Sequence, residues 1–507
     1  MKIRFLWLSA ATALVAAAAL AGCGGTTYFA GRNLPPSALT NRVMIAVQNP
    51  SAFGKGSLQF VDAYYDIRSG FTGKPALYTI AGYGGSLPVS IQNMPEEQLG
   101  AVYGSGDGSF IPVLYGTEST GSPITGLNGL SSSVFLARNQ NFVFAASQSA
   151  HVLTVIDKTQ GGGSFGLSLP GIYRVSLNPG ASMAIAFAQN SNYAYYPVKL
   201  SAAQTSNYSG GPPTWPKAAI DCEPMNAPGW CLFQAQSPDA VDATGNYYGA
   251  PLTFDRPVKA VFSADGGTAY VLNCGPECGG KAASVSILPV APMIYLVNQA
   301  SGTLPTTATF ASTNIPIPGG ASNALVTAST MYVAGQCVGA PTLSSNQQPQ
   351  CSTTPPTVTS LFTGMLTVVN LPTSAGASWT ATSPIPISDG APGAPSRMLE
   401  ADNNTLWIGM TKCNNGVRAN AGLSYGCLTM FNTSTGSVTL LEPYLGDATG
   451  IAAVIGLNKI YTAEGGQVYI YSTTDGSVID NQYVTVTGTA YDVAYMDAAS
   501  DSDNTVY

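Results

Sequence analysis

The chain has 507 residues, and its 19 Lys+Arg against 26 Asp+Glu leave a net charge of −7, with a single histidine. Charged residues make up 9% of it, against roughly a quarter in an ordinary soluble domain, so the surface has to be built from Ser, Thr, Asn, Gln and Gly. No basic run occurs, which excludes nucleic acid as a partner, and the composition suits a β-rich envelope protein better than a helical cytosolic enzyme.

The N-terminus "MKIRFLWLSAATALVAAAALAGC" carries Lys2 and Arg4, an apolar run from Phe5 to Leu20, and small residues up to Cys23. That is the layout of an export signal. The apolar run is shorter than the ~20 residues a bilayer span needs. The ending Leu20-Ala21-Gly22-Cys23 resembles the lipobox of bacterial lipoproteins. The resemblance implies removal of residues 1–22, diacylation of Cys23, and a membrane partnership through that lipid anchor. Gly24 and Gly25, with no Asp after the Cys, imply outer-membrane sorting in a Gram-negative cell. Residues 23–40 then read as a Gly/Pro-rich tether.

Length alone suggests about three domains, but repetition revises that count. Five segments have the same plan: "LQFVDAYYDIRSG", "VLTVIDKTQGGGS", "LTVVNLPTSAGAS", "LTMFNTSTGSVTL" and "VYIYSTTDGSVI". Each is an apolar strand, then Asp, Asn or Ser, then a Gly-containing turn, as in tight hairpins. Two further strands precede most of them, as in "VKAVFSADGG" and "TAYVLN". The unit is therefore a four-stranded meander of about 40 residues, the spacing of β-propeller blades. Units begin near Leu87, Ser131, Ile172, Val258, Ala321, Pro395 and Ala448. An eighth is split between "AYDVAYMD" at the C-terminal end and "NRVMIAVQN" near the start, which closes the ring and hides two sheet edges.

The expected fold is all-β: one propeller over residues 41–507 with eight four-stranded blades, and a disulfide-containing insertion around 205–250 lengthening the Ile172 unit. Seven blades is the alternative, because that unit is irregular. An outer-membrane barrel would need a lipid-facing alternation that these segments lack. "FSADGGTAYVLN" followed by "ASVSIL" resembles the YVTN/lactonase-like propeller repeat, while "GQVYIYSTTDGSVI" resembles a quinoprotein repeat. The first resemblance would imply a metal-dependent hydrolase and the second a dehydrogenase. Neither brings a recognisable cofactor or metal set, and none is expected.

Apart from Cys23 the cysteines are Cys222, Cys231, Cys274, Cys278, Cys337, Cys351, Cys413 and Cys427. Their positions at shared strand ends predict four local bridges, 222–231, 274–278, 337–351 and 413–427, in an oxidising compartment. A 15-residue closed loop contributes roughly 3 kcal/mol in the chain-entropy picture. With blade strands named a to d, the last three bridges lie in b–c loops of consecutive blades. Long stapled loops on one face suit a pre-organised binding surface, to which Arg418 and Tyr425 belong. Trp215 and Trp230, flanking the first bridge, are further recognition candidates, as exposed aromatics stack on sugars or anchor proteins. His151 is read as structural at a strand edge, and Asp497, Asp501 and Asp503 as a solvated acidic turn. No catalytic constellation is evident. The expected role is a lipid-anchored binding or scaffold module of the cell envelope, with a protein or glycan partner.

Overall fold

The computed structural model describes residues 27–28, 31–49, 55–66, 68, 73–200, 215, 219–223, 229–236, 240–241, 247–248, 250–290, 313–338, 362–372, 378–388, 394–411, 426–441, 446–479 and 484–501. Eight antiparallel sheets follow one another around a ring. The seven continuous blades start at strands Pro88–Met94, Ser133–Leu136, Ile172–Leu177, Pro257–Phe262, Asn323–Thr327, Pro395–Ala401 and Ala448–Val454, each within two residues of the start expected from the sequence. These are blades 2 to 8. Blade 1 is the split one: Thr489–Tyr495 is its inner strand, followed outward by Arg42–Gln48, Ser57–Asp62 and Tyr78–Thr79.

The core confirms the count. Eight apolar clusters fill the eight interfaces between neighbouring blades, the last one joining blade 8 to blade 1 through Val43, Ile45, Tyr461 and Val493. Middle strands are covered on both faces, which is why they read as near-continuous apolar runs. Leu99–Gly104 and Thr405–Met410, for example, are buried at every position.

Blade 4 departs from the simple meander. Its fourth position is taken by Trp230–Gln234, paired with Ala194–Lys199, and Ala219–Glu223 adds a fifth strand outside it. Cys222 and Cys231 face each other in that outer pair and are bonded. In blade 5 the Cys274–Cys278 bridge closes the short turn after Thr268–Asn273. Cys337 and Cys427 are also disulfide-bonded; their expected partners Cys351 and Cys413 lie outside the described residues.

Ring closure relies on more than backbone pairing. Two carboxylates of the acidic turn expected to be solvated are instead buried, Asp497 being 1% and Asp501 3% exposed, while Asp503 lies outside the described residues. Asp497 takes Arg42 Nη2 at 2.6 Å, and Asp501 takes Arg138 Nε at 2.7 Å. The correction has a clear cause: the turn follows the closing strand, and its carboxylates meet cations carried by blades 1 and 3.

Blade 8 has a tight b–c turn, Gly465-Gly466, with φ of 55° and 88°, the backbone of a two-residue hairpin that side chains resist. Just before it, Glu464 is 3% exposed and accepts from Tyr471 Oη at 2.9 Å. Burial pushes its carboxyl up from 4.5 to about 7. A group whose folded value is raised holds its full contribution below the unfolded value and loses it as pH rises through the folded one. At about 1.4 kcal/mol per pH unit, the loss across this window is on the order of 3 kcal/mol. Glu464→Gln is therefore expected to be more stable than the parent at pH 8 and no more stable at pH 4. Urea unfolding at the two pH values checks this, and parallel curves would refute it.

Candidate binding site: the central tunnel

The eight inner strands surround a tunnel, and a repeated irregularity decides what faces it. Register shifts occur between Pro88/Ser90, Ile172/Arg174, Pro257/Lys259, Pro395/Arg397 and Ala448/Gly450. In blade 1 the ladder skips Tyr491 opposite Ala46/Val47. A bulge leaves one residue out of the ladder and re-aims the next side chain. Ser90, Arg174, Lys259 and Arg397, each following a bulge, line one cavity of about 300 Å3 together with Ser133 and Asn323. Gly450 holds the same offset in blade 8. A Cβ there would sit 2.5 Å from Asp492 Oδ1 and 2.7 Å from Asp492 Cα, so only glycine permits the approach.

Two further cavities share residues with this one and so lie in series with it. Arg174 also lines a mouth of about 480 Å3 with Tyr173, Gln189, Asn190, Arg256 and Cys278. Its residues come from b–c loops and from the segments entering the inner strands, so this is the face of the Cys274–Cys278 loop. Lys259 and Asn323 also line a cavity of about 290 Å3 at the opposite end, with Phe262, Leu325, Met398 and Asp501.

The electrostatics of the constriction oppose those of the whole chain. Arg397 Nη2 lies 2.9 Å from Asp492 Oδ2, and that oxygen also accepts from Ile91 N–H at 2.8 Å. Burial pushes the Asp492 carboxyl up, while Arg397 and the backbone donors of Ile91 and Val493 oppose that shift. Lys259 is 8% exposed and donates to Asn323 Oδ1 at 2.9 Å. Desolvation first, then the nearby charges of Arg174 and Arg397, bring its ammonium down from 10.5 to about 7. The Arg174 guanidinium has one long contact, Nη1 to Val258 O at 3.5 Å, and lies 5.8 Å from the Tyr173 ring. Among the described residues, neither Arg174 nor Lys259 has a carboxylate within ion-pair distance.

Beside the wide mouth, Glu277 sits inside the Cys274–Cys278 turn and reaches blade 6. It accepts from Gln336 N–H at 3.0 Å and Gln336 Nε2 at 2.8 Å, and burial pushes its carboxyl up to about 7. The stapled loop is thus tied to the neighbouring blade as well as closed on itself.

Apart from the Cys274–Cys278 bridge at the wide mouth, the residues picked out from sequence lie elsewhere. Trp230 is 4% exposed, its ring among Phe142, Phe144 and Phe165 at centroid distances of 5.6, 6.1 and 6.5 Å. It packs blade 4 onto blade 3 and is no surface aromatic. Trp215 packs on the cluster between blades 4 and 5. His151 occupies an exposed turn with φ 57°. Cys23, Arg418 and Tyr425 lie outside the described residues. Sequence reasoning missed Arg174, Lys259, Arg397 and Asp492. The signal for the cations was present in "IYR", "PVK" and "PSR", which put a basic residue at the same offset in three units of a chain with 19 basic residues in total.

No protein-family model matches this chain, and no curated protein does. Solved structures resemble it at low identity. The β-propeller domain of Cps50 (Swd1) from Myceliophteria thermophila is 11% identical, with 76% of this chain and 97% of that one covered and a TM-score of 0.44. A putative 6-phosphogluconolactonase from Bacteroides fragilis is 9% identical, with 90% and 98% covered and a TM-score of 0.42. The periplasmic gluconolactonase of Pseudomonas aeruginosa is 10% identical over the same shares, 90% and 98%, with a TM-score of 0.42.

Proposed function

We propose that this chain is an exported binding module, held at a bacterial envelope membrane through Cys23 and receiving an envelope glycan or protein segment at the mouth of its tunnel. The observation that carries the reading is the series of three cavities. They run through the ring and open beside a loop fastened by Cys274–Cys278 and by Glu277. A concave, pre-formed cleft lined by a few placed polar groups is what ligand recognition requires. The disulfides support an oxidising compartment, and the lipobox-like Leu20–Cys23 supports the anchor. A metal-dependent hydrolase is favoured less, because a divalent cation wants oxygen ligands and the charged side chains lining the central cavity are Arg174, Lys259 and Arg397.

In cells, the parent protein is expected to incorporate a palmitate analogue and pellet with membranes, and Cys23→Ala to do neither. An unlabelled parent would remove the anchor from the reading. A photo-crosslinker at Gln189, on the wide mouth, is expected to trap a discrete adduct that the same probe at Thr435, in an exposed outer turn, does not. Equal, diffuse products from both positions would argue against a binding face there.

A further inference from the structure

We propose that the tunnel constriction is an oxyanion site, in which Arg174 and Lys259, beside the Arg397–Asp492 pair, take the carboxylate or phosphate group of a small molecule. This deepens the tunnel-binding reading and rests on it.

Two guanidinium groups and the Lys259 amine, whose ammonium form a bound anion favours, face one cavity of about 300 Å3, within a protein whose net charge is −7. A local reversal of sign inside a low-dielectric channel concentrates ligands of the opposite charge. Asp492, the carboxylate beside the cavity among the described residues, is already held by Arg397 and by backbone N–H groups.

The other two cations are left short of acceptors. Lys259 has three N–H donors and a neutral amide oxygen, that of Asn323, as its acceptor. Among the described residues Arg174 makes one long hydrogen bond, at 3.5 Å to the Val258 carbonyl, and lies 5.8 Å from the Tyr173 ring. Enclosing a cation without an anion is costly, and a blade start needs neither residue, since Ser90 and Gly450 occupy the corresponding places in other blades. A ligand oxygen between Arg174 and Lys259 supplies the missing acceptors. A guanidinium with a free fork suits a planar carboxylate or a phosphate equally well, and the cavity is of small-molecule size.

The test is calorimetric titration of the purified protein with inorganic phosphate, succinate and glucuronate, with glucose as a neutral probe. At least one anion is expected to bind. Arg174→Gln and Lys259→Met are each expected to weaken it about tenfold or more, the worth of a charge-assisted hydrogen bond. Ser90→Trp, which fills the cavity wall, is expected to abolish it. Binding of phosphate alone assigns a phosphoryl group, and binding of succinate or glucuronate a carboxylate.

Lys259→Met separates function from architecture. If the ammonium serves a ligand, the variant melts no lower than the parent while losing the anion. If it serves the fold, the variant melts lower and keeps the anion. Arg174 is only half-buried, so Arg174→Gln keeps the question open to refutation whatever happens to Lys259→Met. Silence from all three anions, or equal binding to Arg174→Gln, overturns the oxyanion site. Glucose binding that Ser90→Trp removes and Arg174→Gln leaves intact would overturn it while keeping the tunnel as a binding site. Binding indifferent to Ser90→Trp would remove both.

Discussion

Arg42→Ala is expected to lower stability by about 3–5 kcal/mol, the cost of breaking one side of a buried ion pair. Arg42 is fully buried at the start of blade 1. Its Nη2 lies 2.6 Å from Asp497 Oδ1, its Nε 3.0 Å from Asp497 Oδ2, and its Nη1 2.9 Å from Glu118 Oε1 and 2.7 Å from the Tyr115 carbonyl oxygen. One guanidinium thus joins the segment after the last strand, the first strand of the ring, and blade 2. Alanine removes the guanidinium that holds both Asp497 and Glu118, and the larger part of the expected loss comes from breaking that buried ion pair.

Urea unfolding followed by tryptophan fluorescence provides the measurement. Adding Asp497→Asn to Arg42→Ala is expected to recover part of the loss, because the two residues are coupled. A loss below about 1 kcal/mol, the worth of an exposed pair, would mean that the ladder from Val43↔Tyr495 to Gln48↔Thr489 closes the ring without help.

The second large effect is expected at Trp230. Trp230→Ala should cost about 3–5 kcal/mol, as removal of a buried aromatic does. The ring fills the interface of blades 3 and 4, and its Nε1 donates to Asp157 Oδ2 at 3.3 Å. That carboxylate also holds Lys199 Nζ at 2.7 Å, so truncation empties a packed site and loosens a polar one together. Trp230→Phe keeps most of the apolar volume and is expected to lose clearly less. An aromatic displayed for recognition behaves in the opposite way: its alanine variant folds normally and binds poorly. Unchanged unfolding of Trp230→Ala would return the residue to the surface role that its sequence context suggested.

These two sites show where sequence reading stops. Strands such as "VKAVFSADGG" and "TAYVLN" were legible because alternation and Asx-Gly turns act between residues a few positions apart. Blade starts at Ile172, Pro395 and Ala448 came out at the expected residue, and the eight-blade count came from repetition. The bridges 222–231 and 274–278 were legible for the same local reason, since short separations and shared strand ends leave little choice.

Burial of Trp230 was not local: it depends on Phe142, Phe144 and Phe165, which belong to another blade. Nor was the fate of the acidic turn, whose Asp497 meets a cation 455 positions away. By itself, then, the sequence determined the repeat, the blade count, the ring closure and the acidic, ion-poor character of the chain, all properties that add up from neighbouring residues.

The tunnel was decided only by the tertiary structure. Bulges at the second residue of inner strands turn Arg174, Lys259 and Arg397 toward a common axis. Nothing within one blade fixes what stands across that axis, because it is set by closing eight blades into a ring.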